Sequence, residues 1–201
     1  MARRGRKKGS NGEESRLLLL TIAAEEFAKK GYQQTKVSDI VKQAKVTQPT
    51  FYIYFQSKEA LFQELVDSFR TQLVNLVSKS RLESGLDDAD LSNTIKSSLL
   101  NIFTFFAENP YLTKIGFFIA QEAGDIKKGI AEGIKENLDD EISKGYFNSN
   151  FDTKIVAESL VGVIERLTLT KLLDRLIQPE NLANQIVQLF LYGIENKKRI
   201  E

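Results

Sequence analysis

Neither cysteine nor histidine occurs among the 201 residues of this chain. The first absence removes disulfides, thiolate metal sites and thiol nucleophiles. The second removes the commonest general base and the commonest zinc ligand together. Most hydrolytic mechanisms lose their usual groups, and no catalytic residue, metal or cofactor is expected. Carboxylates remain, but Asp87, Asp88 and Asp90, like Asp139, Asp140 and Glu141, lack a calcium-loop spacing and read as solvated loop or helix faces. Long apolar runs are missing too. None approaches the roughly 20 residues of a membrane span, and Leu17 to Leu20 is too short for the core of a secretory leader. A thiol-free chain of this kind fits the reducing cytoplasm, which is the expected location, with no membrane partner.

Net charge is small, +1, but unevenly spread. Met1 to Lys58 holds 12 Lys or Arg against 5 Asp or Glu, whereas the remainder holds 16 against 22. The front of the chain is therefore suited to a polyanion and the rest is not. Residues 1–12 carry Arg3, Arg4, Arg6, Lys7 and Lys8 among glycines without a periodic apolar residue, and read as a flexible basic arm. Such an arm either enters a minor groove or adds only non-specific affinity.

From Glu13 the pattern turns helical. Leu19, Ile22, Ala23 and Phe27 share one face, Lys29 and Lys30 fall in the last turn, and Gly31 ends the helix. Thr35 is placed to cap a short second helix with Val37, Ile40, Val41 and Ala44 on its buried side. After a break at Lys45 and Val46, Thr47 is placed to cap a third helix over Gln48–Phe55, with Pro49 in its first turn. Ser57 is placed to cap the next, which runs to about Lys79. Further helices are expected over Leu91–Asn109, Tyr111–Glu122, Gly124–Gly145, Asp152–Gln178 and Pro179–Lys197, and no strand is expected. The fold class is all-α: a three-helix DNA-binding domain over residues 13–58, then a larger helical domain over 59–201.

Thr35 to Phe55 reads as helix, tight turn, helix, with small or polar residues leading the second helix. A major groove about 12 Å wide admits one such helix and exposes base edges to its first turn. Gly31-Tyr32, Thr35, Val37, Asp39-Ile40, Ala44, Val46-Thr47, Thr50, Tyr52, Tyr54-Phe55, Ser57-Lys58-Glu59 and Leu61 stand in an order and spacing that resembles the TetR family of transcriptional regulators. The resemblance covers about the first 65 residues. It implies that Gln48, Pro49, Thr50 and Tyr52 face bases or sugars and that Thr35, Tyr54 and Lys58 touch phosphates. Thr47 belongs to the same interface. Chemistry agrees: Gln48 can pair with adenine N6 and N7, and Pro49 and Thr50 can meet a thymine methyl. Phe51 and Phe55 should point into the core. One departure is Lys45, which stands where the family usually has Gly in the turn. A lysine there costs about 1 kcal/mol if the position is left-handed, and it either reaches a phosphate or stays solvated.

In the second domain Phe103, Phe106, Phe117 and Phe118 are both core and pocket candidates, and Gln121, Glu122 and Glu165 are polar residues set in apolar helices. Glu165 with Arg166 equally suits a subunit interface or the surface. The resemblance implies a pocket for a small, largely apolar effector. The last two helices offer more apolar surface than a monomer buries, through Ile155, Leu160, Val163, Ile164, Leu167 and Leu172 and through Leu182, Ile186, Leu189, Phe190 and Ile194. By resemblance they form a homodimer bundle in which Gly162 allows close approach. A two-fold dimer would present two recognition helices to a roughly palindromic double-stranded operator. The expected function is a repressor released by its effector.

Overall fold

The computed structural model describes residues 10–83 and 86–194; most of the basic arm lies outside them. All regular structure among the described residues is helical. In order these are α1 (Ser10–Lys30), α2 (Val37–Gln43), α3 (Gln48–Tyr54), α4 (Lys58–Ser78), α5 (Asp88–Glu108), α6 (Pro110–Lys114), α7 (Ala123–Ser143), α8 (Thr153–Leu167) and α9 (Pro179–Val187). Three five-residue π-helical turns continue α6 as Ile115–Ile119, α8 as Thr168–Leu172 and α9 as Gln188–Tyr192.

The chain divides into two compact units. The first holds described residues up to Phe69 together with Tyr111–Gln121. Leu19, Ala23 and Phe27 of α1, Ile40 of α2, Phe51 of α3 and Leu61 and Phe69 of α4 are fully buried there. Gly31 stops α1 at φ 82, a left-handed turn that costs glycine nothing. Ser57 caps α4 by accepting the Ala60 N–H at 3.0 Å. Thr35 does not cap α2. The residue before that helix is Lys36, without a side-chain cap, and the buried Thr35 hydroxyl donates instead to the Gly31 carbonyl at 2.8 Å.

The second unit holds Arg70–Pro110 and residues from Glu122 onward. Here α5 packs on α9 and α7 packs on α8. Asp87 caps α5 through the Asp90 N–H, so this helix begins three residues before the Leu91 the pattern indicated. The α4–α5 connection is tied to the end of α7 by hydrogen bonds. Asn137 Nδ2 donates to the Val77 carbonyl at 3.1 Å, Lys144 Nζ to the Leu82 carbonyl at 3.0 Å and the Tyr146 hydroxyl to the Glu83 carbonyl at 2.8 Å. Glu141 belongs to this seam and is buried, against the expectation of a solvated face.

Two helices are shorter than periodicity suggested. The run expected from Asp152 to Gln178 is regular only to Leu167, widens into a π-helical turn through Leu172 and then turns at Arg175, φ 57. The last helix stops at Tyr192, where Gly193 takes φ 71; the remaining residues expected in it, from 195, lie outside those described. Apolar periodicity persists across both breaks, so it alone could not locate them.

Candidate DNA-binding interface

Around α3 the sequence sets local geometry first. Lys45 lies at φ 55, the N–H of Lys45 bonds to the Lys42 carbonyl at 3.2 Å and that of Val46 to the Val41 carbonyl at 3.0 Å. These bonds close α2 in a Schellman turn, whose left-handed position usually holds glycine. Thr47 then caps α3, its Oγ1 accepting from the Thr50 N–H at 3.4 Å and standing 2.9 Å from Thr50 Oγ1. Pro49 is second in the helix, where a missing N–H costs nothing.

Phe51 and Phe55 anchor α3. Both are buried, their ring centroids 5.6 Å apart, and the Arg16 guanidinium lies 5.2 Å from the Phe55 ring. Arg16 is itself held by both oxygens of Glu64, so α1 and α4 together fix the end of α3. With that face inward, Gln48, Pro49 and Tyr52 are exposed, Thr50 is half-buried, and Lys45 and Thr47 are exposed in the turn. Tyr54 is half-buried with its hydroxyl beside Gly12.

Two of the expected phosphate contacts sit differently. Thr35 is 1% exposed with its hydroxyl engaged. Lys58 Nζ donates to the carbonyls of Tyr32 at 2.9 Å and Thr35 at 3.0 Å, and lies 4.3 Å from the centre of the Tyr32 ring. Both therefore hold the α1–α2 connection. Ile53, absent from the sequence-derived set, is 75% exposed on α3. Its position on the helical wheel, between Pro49 and Thr50, was the available signal.

The effector candidates do not share one unit. Phe117, Phe118 and Gln121 belong to the first, and Phe103, Phe106, Glu122 and Glu165 to the second. Phe117 packs on Phe69 with centroids 5.3 Å apart, Phe118 is half-buried and Gln121 is exposed. Phe103 and Phe106 are fully buried, Glu122 is half-buried, and Glu165 pairs with Lys127 at 2.7 Å. A cleft of about 200 Å³ in the second unit is lined by other residues, among them Ala107, Leu172, Leu173, Arg175 and Ile177. Among the described residues there is no cluster of three or more carboxylates suited to a metal, and no helix is long and apolar enough to cross a membrane.

Comparison with known proteins places this geometry. The family model for bacterial regulatory proteins of the tetR family matches residues 19–65. The HTH-type transcriptional regulator YdgC of Bacillus subtilis, itself uncharacterised, is 46% identical over 185 residues, 92% of this chain and 95% of its own. The fatty acid metabolism regulator protein of the same organism is 24% identical over 89% of this chain and 95% of its own. The crystal structure of the transcriptional regulator FadR from Bacillus subtilis in complex with stearoyl-CoA shares the fold, at a TM-score of 0.67 and 21% identity over 89% of this chain and 99% of that one. All three are regulators by name. The chain belongs to the tetR family of bacterial regulatory proteins and is a DNA-binding, helix-turn-helix transcriptional regulator.

Proposed function

We propose that the chain is a cytoplasmic repressor that holds a roughly palindromic operator as a homodimer and leaves it on binding a small, largely apolar effector. The observation that carries the reading is the exposed face of α3, where Gln48, Pro49 and Tyr52 are exposed while Phe51 and Phe55 lock the helix from behind. In this reading Gln48, Pro49, Thr50 and Tyr52 meet bases or sugars, Lys45, Thr47 and Tyr54 approach phosphates, and Thr35 and Lys58 keep the α1–α2 connection in shape. Homodimerisation is supported by apolar side chains left exposed on the last elements, notably Ile155, Leu169, Leu189 and Tyr192. Gly162 is exposed with open space where a Cβ would stand, which suits close approach of a second chain.

The relatives suggest where to look for the effector, since one is a fatty acid metabolism regulator and another is seen with stearoyl-CoA. A long-chain acyl thioester is accordingly the first class to test. Within the second unit, Phe103, Phe106, Glu122 and Glu165 remain the proposed pocket residues. Release requires the effector to favour the form that does not bind DNA, because equal affinity for both forms shifts nothing. The test is operator affinity with and without saturating stearoyl-CoA. A loss of ~10-fold or more supports release; unchanged affinity with the thioester bound removes effector release by this class and leaves DNA binding standing.

A further inference from the structure

We infer that Ile53 reads a thymine methyl, one helical turn beyond Pro49, and so adds a specificity determinant to each half-site. The inference rests on the reading of α3 as the base-contacting helix. At about 100° per residue, the side chains of α3 follow one another around the axis as Gln48, Tyr52, Pro49, Ile53 and Thr50. Ile53 lies opposite the midpoint of the buried Phe51 and Phe55, on the crest of the exposed face. It is flanked around the helix by Pro49 and Thr50 and is 75% exposed, more than Tyr52 at 56%. If Pro49 and Thr50 both approach base edges, the side chain between them does so as well.

Chemistry narrows the target. Isoleucine has neither donor nor acceptor, and the one apolar group on the major-groove edge of a base pair is the C5-methyl of thymine. A β-branched side chain has few rotamers to lose when it docks there.

The test uses the full chain and a duplex that it has itself selected from a randomised pool. Each thymine of the half-site is replaced in turn by deoxyuridine, which deletes only the methyl, and affinity is measured for the wild type and for Ile53→Ala. The expected result is one thymine whose replacement weakens wild-type binding about three- to fivefold, the scale of one buried methyl. Ile53→Ala should weaken binding to the unmodified duplex by a similar factor and make that same replacement neutral. The inference is overturned if every deoxyuridine penalty persists in Ile53→Ala. Tyr52→Ala separates the two levels: if it binds as the wild type does, or if no sequence is selected, the reading of α3 itself fails and the inference with it. Loss of binding in Tyr52→Ala beside uncoupled Ile53 defeats this inference alone. Ile53 is exposed, so an unchanged melting temperature in Ile53→Ala is the control for folding.

Discussion

Gly116 lies against the ring of Phe69 so closely that a Cβ on the glycine would stand 2.0 Å from Phe69 Cδ1 and 2.3 Å from Cγ. Phe69 belongs to α4 and Gly116 to the π-helical turn after α6, and both are buried in the first unit. The fully buried Phe69 ring also meets Phe117 edge to face, which restricts how it can yield. Gly116→Ala should therefore destabilise the chain by about 1–3 kcal/mol, the usual cost of overpacking a filled core. Denaturant unfolding measures this. A neutral substitution would mean that the turn shifts at no cost.

Lys45 gives the opposite sign. Its backbone is left-handed, at φ 55, and its side chain is exposed. Lys45→Gly should stabilise the fold by up to about 1 kcal/mol, because glycine reaches this conformation without steric cost. Operator affinity at two salt concentrations then separates a phosphate-contacting lysine from a solvated one, since only the former lowers the salt dependence when removed.

Lys58 is expected to act through the fold. Its ammonium group serves two backbone carbonyls and the Tyr32 ring, and Lys58→Met leaves those carbonyls without their charged donor. A stability loss of about 1.5–3 kcal/mol should accompany any loss of operator affinity. Reduced affinity at an unchanged melting temperature would mark Lys58 as a direct phosphate ligand.

Glu141 makes stability depend on pH. Burial pushes its carboxyl from an ordinary 4.5 up to about 7, with the neighbouring Asp140 carboxylate adding to the rise. The Leu82 N–H, Lys144 and Arg81 oppose that rise without cancelling it. The folded chain thus holds a proton that the unfolded chain releases near pH 4.5. This contribution is complete below that pH and is lost as pH rises through about 7, about 3 kcal/mol in all. Glu141→Gln should flatten the fall in melting temperature between pH 5 and 8 and leave the variant more stable than wild type at pH 8. Parallel curves for the two proteins would contradict this assignment.

Thr168 is fully buried, and its hydroxyl has no hydrogen-bond partner among the described residues. It opens the π-helical turn that continues α8. A stranded hydroxyl costs about 1–3 kcal/mol, so the isosteric Thr168→Val should raise the melting temperature. A fall would show that the hydroxyl is satisfied in solution.

The DNA-binding end was legible in the sequence because its signals are local. Gly31, Thr47, Pro49 and Ser57 each act within a few residues, and the Phe51 and Phe55 periodicity set the buried face of α3. Thr35 was misread as a cap because Thr before a helix is a common cap, and the signal says nothing of a carbonyl four residues back. Glu141 was misread as solvated, and nothing in the sequence singled out Thr168. Their environment is made by elements far away in sequence, and a carboxylate or hydroxyl on a helix looks the same whether buried or solvated. The residues proposed for an effector pocket suffer the same limit. Aromatic spacing marked Phe103 and Phe117 as inward-facing but could not assign them to different units.

In the proposed function the exposed face of α3 reads sequence. Fluorescence anisotropy on the DNA upstream of the chain's own gene, beside a scrambled duplex and across a salt series, tests it most directly. The native duplex should bind ~10³-fold or more tightly, and Tyr52→Ala, still folded, should abolish the preference. Equal binding of the two duplexes, weakening together with salt, would contradict it and assign the affinity to charge alone.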